Sequence, residues 1–402
     1  MNINFNIVNA ILTGGHGEKS SFEVLDWRID NIETTSNNYM TQISRLIIRY
    51  RSPKEDDSVP KEKFCFVKVP VDGIFSGLPK SLSCYNNEII MYTKVLSQMY
   101  TIDKECFTPR FYYFDDNMTL VLKDLTRSGY KCADRVQKLD IEHCIYALKC
   151  VAKFHALSVK LEKTVGLPDQ VKCNLYCSAQ AAKNLDFLLE QHMPQFIDSV
   201  PESLKRKYPN LITYLKNMSI ENVINSLNDS SASEFNVLIH GDLTFNNIMF
   251  KYDKYGIVRK AKLIDFQITS WNSPAQDLLY FFITSINYEV YRENFSMLMN
   301  IYLNTLNKVL DRLECPTFNM RSILNQMDTL YPFALFAVSI FLPHVVRDPN
   351  LSTDTKDSTH TSGKSESGNV YKQDHYREIA VKWLEHLAEK GTLRVNEEQH
   401  SD

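Results

Sequence analysis

The stretch VLIHGDLTFNNIMF, Val237 to Phe250, and the shorter LIDFQ, Leu263 to Gln267, decide how the rest of the chain is read. The apolar run ending at His240 reads as a strand that delivers a loop, and Leu263 to Phe266 as a second strand delivering Asp265 beside it. Asp242 is a carboxylate able to take the proton of a hydroxyl. Asn247, five positions on, and Asp265 are oxygen donors of the kind magnesium prefers, together with phosphate oxygens, in a tight octahedron. Two carboxylates and an amide in this order suit phosphoryl transfer, whereas one aspartate alone would say little.

HGDxxxxN followed by DFQ is a variant of the catalytic-loop and metal-loop pair HRDxxxxN and DFG. With Ser273-Pro274-Ala275-Gln276-Asp277-Leu278 downstream and Phe154-His155-Ala156-Leu157-Ser158 upstream, the chain resembles the ecdysteroid kinase-like (CHK kinase-like) family. That family is a branch of small-molecule kinases related to choline kinases and aminoglycoside phosphotransferases. The matching blocks run from about Asn37 to about Phe282, roughly two thirds of the chain. HGD alone is weak; the ordered set is specific. The resemblance implies an α+β, bilobal protein-kinase-like fold, with an N-terminal antiparallel sheet carrying one helix and a larger, mainly helical C-terminal lobe. The lobes are expected over residues 1–123 and 124–402, with ATP and Mg2+ as cofactors and a small-molecule hydroxyl as acceptor.

Composition is compatible with this reading. A chain of 402 residues that is 44% hydrophobic can bury a large core and is long enough for two lobes. A net charge of -3 gives no footprint for nucleic acid or for a polybasic membrane patch. No segment approaches 18 uninterrupted apolar residues, and the start lacks a basic region followed by a compact apolar one, so a cytoplasmic protein without an obligate protein partner is expected. Nine cysteines, an odd and scattered set, argue against a disulfide framework. Cys173 and Cys177 have no second ligand pair to make a zinc site.

In the first lobe, Val24 to Glu33 and Gln42 to Arg51 read as a hairpin, and Phe64 to Val71 as a third strand. Alternation puts Phe64, Phe66 and Lys68 on one face. Read alone, Lys68 is an amphipathic lysine at a strand end, and Glu88, on a helix expected over Leu82 to Met99, is solvated surface. The catalytic set favours a second reading, in which Lys68 serves the phosphates and Glu88 holds it. Strands at Pro109 to Phe114 and Met118 to Leu122 lead into Lys123-Asp124-Leu125, which resembles the family's "LEDL" hinge, whose backbone binds adenine. Ser36-Asn37-Asn38-Tyr39-Met40-Thr41 stands where the family shows a "GENYAS"-like turn, with serine replacing the leading glycine. Asn38 tolerates left-handed angles and Thr41 offers a hydroxyl, so both are candidates for the phosphates. Gly14, Gly15 and Gly17 read as a flexible lead-in to the first strand.

In the second lobe, Asp140 to Leu161 shows helical spacing, with Asp140 as N-cap and His155 on the buried face. His155 and His240 are read as structural, and the resemblance implies that Asp277 anchors the loop of His240. The aromatic and methionine-rich run from Tyr280 to Tyr302 is mostly helical core, although a lipophilic acceptor would need an apolar cleft beside Asp242. Asp348 to Gln373 is polar and aperiodic and reads as a loop, after which Tyr376 to Leu393 resumes helical spacing. The leading function is ATP-dependent phosphotransfer to a hydroxyl of a small molecule, a steroid or another lipophilic alcohol as the family's name implies. The alternative, motivated by Ser36, is a catalytically weak or inactive pseudokinase that binds a ligand or partner. Protein kinase activity is disfavoured, because no APE-like segment or activation loop separates Asp265 from Asp277.

Overall fold

The computed structural model describes residues 3–14, 22–32, 41–52, 59–70, 84–105, 107–134, 137–174, 178–232, 235–346 and 370–398. The N-terminal part is a five-stranded antiparallel sheet built from β1 (Glu23–Asn31), β2 (Thr41–Arg51), β3 (Lys61–Pro70), β4 (Phe111–Phe114) and β5 (Leu120–Lys123), in the order β1-β2-β3-β5-β4. Period-two alternation sends Leu46, Ile48, Cys65, Val67 and Val121 to one buried face. Helix α1 (Phe5–Thr13) covers that face with Ile7, Val8, Ile11 and Leu12. It adds a second helix to the lobe, just ahead of the glycines read as a lead-in. Asn4 caps it by accepting from the Ile7 amide, and Gly14 ends it at φ +75°. Gly15 and Gly17 lie outside the described residues.

The expected helix on the other face is one run of three parts: α2 (Cys84–Ile90), a π-helical turn (Met91–Val95) and α3 (Leu96–Ile102). Tyr85, Ile89, Met91, Tyr92, Val95 and Met99 are among its residues buried in the main core. The Tyr85 hydroxyl lies 2.8 Å from the Lys68 carbonyl and 2.9 Å from that of Met118, which ties the helix to β3 and to the connection between β4 and β5.

Beyond β5 the fold is mainly helical. A small sheet of β6 (Tyr130–Cys132), β8 (Ile248–Tyr252) and β9 (Val258–Leu263), and a ribbon of β7 (Val237–Ile239) with β10 (Ser270–Asn272), carry the two quoted stretches. Helix α4 (Ile141–Thr164) starts at Asp140, whose carboxylate accepts from the His143 amide as the sequence predicts. After α5 (Asp169–Lys172), α6 (Ala179–Ser199), α7 (Glu202–Lys207), α8 (Pro209–Lys216) and α9 (Ile220–Ser231), the chain returns to the site. Then come α10 (Pro274–Ser285) and α11 (Tyr288–Arg312), which bury Tyr280, Phe281, Phe282, Tyr291, Met299 and Tyr302, while Met297 stays exposed.

Helices α12 (Met320–Thr329), α13 (Tyr331–Phe336) and α14 (Leu342–Val346) follow, with a π-helical turn over Ala337–Phe341. The loop read over Asp348 to Gln373 lies mostly outside the described residues; its end, Val370–Lys372, is a 3-10 turn leading to α15 (Asp374–Glu398). Ala380, Trp383, Leu384 and Leu387 are buried, as their spacing predicts. Among the described residues no single helix is long and apolar enough to cross a membrane.

Candidate active site

Lys68 lies on β3 between Ile43 of β2 and Leu120 of β5, on the face turned to α2. Its ammonium donates to both oxygens of Glu88, at 2.8 and 2.7 Å, and sits 3.7 Å from Asp265 Oδ1. Burial alone would discharge the lysine, but Asp265 and Glu88 outweigh it and raise its pKa. Glu88 is pushed up by burial and by the charge of Asp265, with Lys68 opposing. One cation thus serves two carboxyls, Glu88 fully buried and Asp265 partly exposed.

The catalytic loop is held from behind by Asp277 on α10. Its carboxylate accepts from the amides of His240 (2.6 Å) and Gly241 (2.9 Å), and His155 Nε2 contacts it at 3.1 Å. The Tyr302 hydroxyl at 2.8 Å from His155 Nδ1 closes this buried chain. Both histidines are structural, as read: His240 Nε2 lies 2.9 Å from the carbonyl of Ile264 and ties the catalytic loop to the metal loop. Gly241 has φ +84°, and a Cβ there would lie 2.3 Å from the carbonyl oxygen of Ile268, so no other residue fits this approach.

Asp242 is half-buried and oriented through both oxygens. Oδ1 accepts from the Tyr280 hydroxyl at 3.1 Å and Oδ2 from the Asn247 side-chain amide at 2.8 Å. Burial raises its pKa and the nearby charge of Asp265 adds to the rise, while His240 and these two hydrogen bonds work against it. A raised carboxylate is a stronger base, which suits proton abstraction.

Asn247 also donates to the Asp242 carbonyl at 2.9 Å, which commits its nitrogen and leaves its amide oxygen for a cation. The Ile264 amide donates to the Asn247 carbonyl at 3.0 Å, so the two loops stand at fixed spacing. Asp265 has φ +68°, and its Oδ1 is buried without a hydrogen-bond partner. A carboxylate oxygen without a hydrogen bond, on a loop tied to the one that carries the Asn247 amide oxygen, fits a hard divalent cation such as Mg2+.

Other expected residues are placed less directly. Thr41 opens β2 and is buried opposite Pro70. Ser36 and Asn38 lie outside the described residues, as does Cys177, whereas Cys173 is an exposed free thiol. Lys123 ends β5 opposite Cys65. The Asp124 carboxylate accepts from Arg45 Nε (2.7 Å) and from the Thr126 amide and hydroxyl, and its own amide donates to the Phe64 carbonyl. The side chain therefore braces the segment after β5 to β2.

Three residues next to the chemistry were not singled out as site residues. Tyr280 stands three positions after Asp277, one helical turn along, and that spacing was a usable signal. Gln267 was visible only as the third letter of DFQ. Asn87, which donates to the carbonyls of Gln267 and Thr269, had no sequence signal at all.

Sheet, ion pair and paired loops define a protein-kinase-like phosphotransferase. A family model described as the ecdysteroid kinase-like family matches residues 35–315, and the chain belongs to that family. No curated protein matches the chain in sequence. Among solved structures it is similar to a choline/ethanolamine kinase family protein from Mesorhizobium loti, at 10% identity over 95% of this chain and 94% of that chain, with a TM-score of 0.41. The ternary complex of streptomycin, ATP and APH(2")-IIa is similar at 14% identity over 82% of this chain and 96% of that chain, with a TM-score of 0.38.

Proposed function

We propose that the chain is an ATP- and Mg2+-dependent kinase that phosphorylates a hydroxyl of a lipophilic small molecule, with two lobes meeting after Lys123. The observation that carries this reading is the convergence of Asp242 and Asp265, from two loops tied through Asn247 and Ile264, next to the Lys68–Glu88 pair. Lys68 faces the α- and β-phosphates, and Asp265 with the Asn247 amide oxygen holds the metal. Among the described residues no group of three His, Cys, Asp or Glu could hold an ion unaided, so phosphate and water complete the set. Bound magnesium supplies the positive charge that offsets charge building on the phosphoryl oxygens.

Asp242 receives the hydroxyl proton as the acceptor oxygen bonds to the γ-phosphorus, and the bond to the bridging oxygen breaks to release ADP. Adenine sits against the backbone at Lys123 and Asp124, and Asn38 and Thr41 are the residues we assign to the phosphates. The acceptor's apolar body is met by the Tyr280 ring and by Phe341, whose ring stands edge-on to it with centroids 5.6 Å apart. The decisive experiment combines ATP titration of the full chain, with and without Mg2+, and an ATP-consumption screen over lipophilic alcohols, amino alcohols and aminoglycosides. Magnesium-dependent binding with turnover on lipophilic alcohols is expected. Absence of nucleotide binding would leave the ligand-binding pseudokinase.

A further inference from the structure

The metal loop is gripped on the side away from the catalytic loop as well. Asn87, beside Glu88 on α2, donates through its side-chain amide to the carbonyls of Gln267 at 3.1 Å and Thr269 at 2.8 Å. The Gln267 side chain in turn donates to Glu88 Oε2 at 3.4 Å, and all of these residues are buried. On the opposite side, the Thr269 hydroxyl donates to the His240 carbonyl at 3.4 Å, and Gly241 lies against the Ile268 backbone. Residues 264–269 are thus clamped between α2 and the catalytic loop. Within the clamp, Asp265 keeps a left-handed backbone, a conformation that a non-glycine residue holds only when its surroundings impose it. Asn87 Oδ1 is buried without a hydrogen-bond partner among the described residues, so the side chain is not placed there to satisfy itself.

We propose that Asn87 and Gln267 are positioning residues that latch α2 to the metal loop, holding the lysine pair and Asp265 in register before nucleotide arrives. The inference rests on the reading of Asp265 as a metal ligand. In the DFG form of this motif the third position is glycine, with free backbone rotation and no side chain to tie down. Here the glutamine joins the loop to the same glutamate that holds the lysine. Swinging α2 outward requires three buried hydrogen bonds to break together, and a shift of the metal loop breaks the same three.

The test is Asn87→Leu in the full chain, which keeps the volume and removes both donations. Affinity for ATP with Mg2+ should fall about 10-fold, the scale of losing buried hydrogen bonds, while affinity for ATP in EDTA changes less than about twofold. Amide hydrogen exchange over residues 264–270 should accelerate about 10-fold or more. A general loss of stability would lower both affinities together. Unchanged magnesium dependence together with unchanged exchange would overturn the latch. Should Asn87→Leu fail to fold, Gln267→Leu takes its place, with an expected loss of about threefold confined to the magnesium condition. If the wild type binds ATP in neither buffer, the kinase reading fails and the exchange measurement alone decides the latch.

Discussion

Among the described residues two lysines are buried, and they meet opposite fates. Lys68 sits where three elements bring charge together: β3 supplies the cation, α2 supplies Glu88 and the metal loop supplies Asp265. Lys138 lies in the segment before α4, next to Leu139, whose amide donates to the Ser285 carbonyl. Its backbone is left-handed, at φ +53°, and its ammonium nitrogen is buried with no hydrogen-bond partner among the described residues. Burial raises nothing in its favour and pushes its pKa down to about 7. Similar burial leaves one amine firmly charged and the other ready to lose its proton near neutrality. Counter-charge, rather than exposure, decides which lysine can serve a phosphate.

If this contrast is right, activity depends on the carboxylates around Lys68 and is indifferent to Lys138. The largest effect belongs to Asp242: Asp242→Ala should lower kcat by about 10² to 10⁴ with ATP affinity largely retained, as loss of a general base does. Lys138→Met should leave kcat within about twofold. Steady-state kinetics on the best acceptor from the screen measures both, and full turnover by the Asp242 variant would remove the base assignment.

Glu88→Ala comes next, because it leaves the Lys68 ammonium buried with only the more distant Asp265. Breaking one side of a buried pair is expected to destabilise the fold by about 3–5 kcal/mol. Urea denaturation of the variant would measure this, and a loss below about 1 kcal/mol would show that Glu88 is not the principal partner.

The smallest effect concerns Lys138 itself. In the native state its amine loses the proton at about pH 7, whereas the unfolded chain holds it to the ordinary lysine value of 10.5. Between these values the unfolded state binds more protons, so wild-type stability should rise with pH across that window and level off below it. Lys138→Met should abolish this part of the slope and stabilise the protein by about 2 kcal/mol at pH 7. Urea melts at pH 7 and pH 9 test it; equal slopes in the two proteins would mean that Lys138 is charged when folded.

The contrast also marks what the sequence could tell. Lys68 was legible because alternation on β3 placed it and the HGD and DFQ stretches required such a lysine. Lys138 was not, since a lysine between Gln137 and Leu139 looks like any loop lysine until tertiary packing covers it. The strands of the five-stranded sheet, β7 and α4 were legible within a few residues because their periodicity is local, whereas the strand read over Leu263 to Phe266 already ends at Leu263, and β6, β8 and β10 gave no such signal. Helix α1 had a usable signal in Asn4 followed by Ile7, Val8, Ile11 and Leu12, set against the glycines that follow it, which by themselves suit a flexible connection. The π-helical turn at Met91–Val95 had no signal, because one extra residue per turn does not disturb an apolar run. In the site, Asp242, Asn247 and Asp265 were readable from spacing. Asn87 was not, because its partners are backbone carbonyls 180 residues away in sequence and more.

Gly241 fixes more than the spacing of two loops. The corresponding position in HRD loops is an arginine, and in protein kinases arginines receive the phosphate of a modified activation loop. A side chain at Gly241 would meet the Ile268 carbonyl before it left the backbone, and only β10 separates the metal loop from α10. The catalytic loop therefore has neither the receptor nor the segment for covalent switching at this point. Covalent switching through a basic side chain of this loop is closed by the backbone of its neighbour.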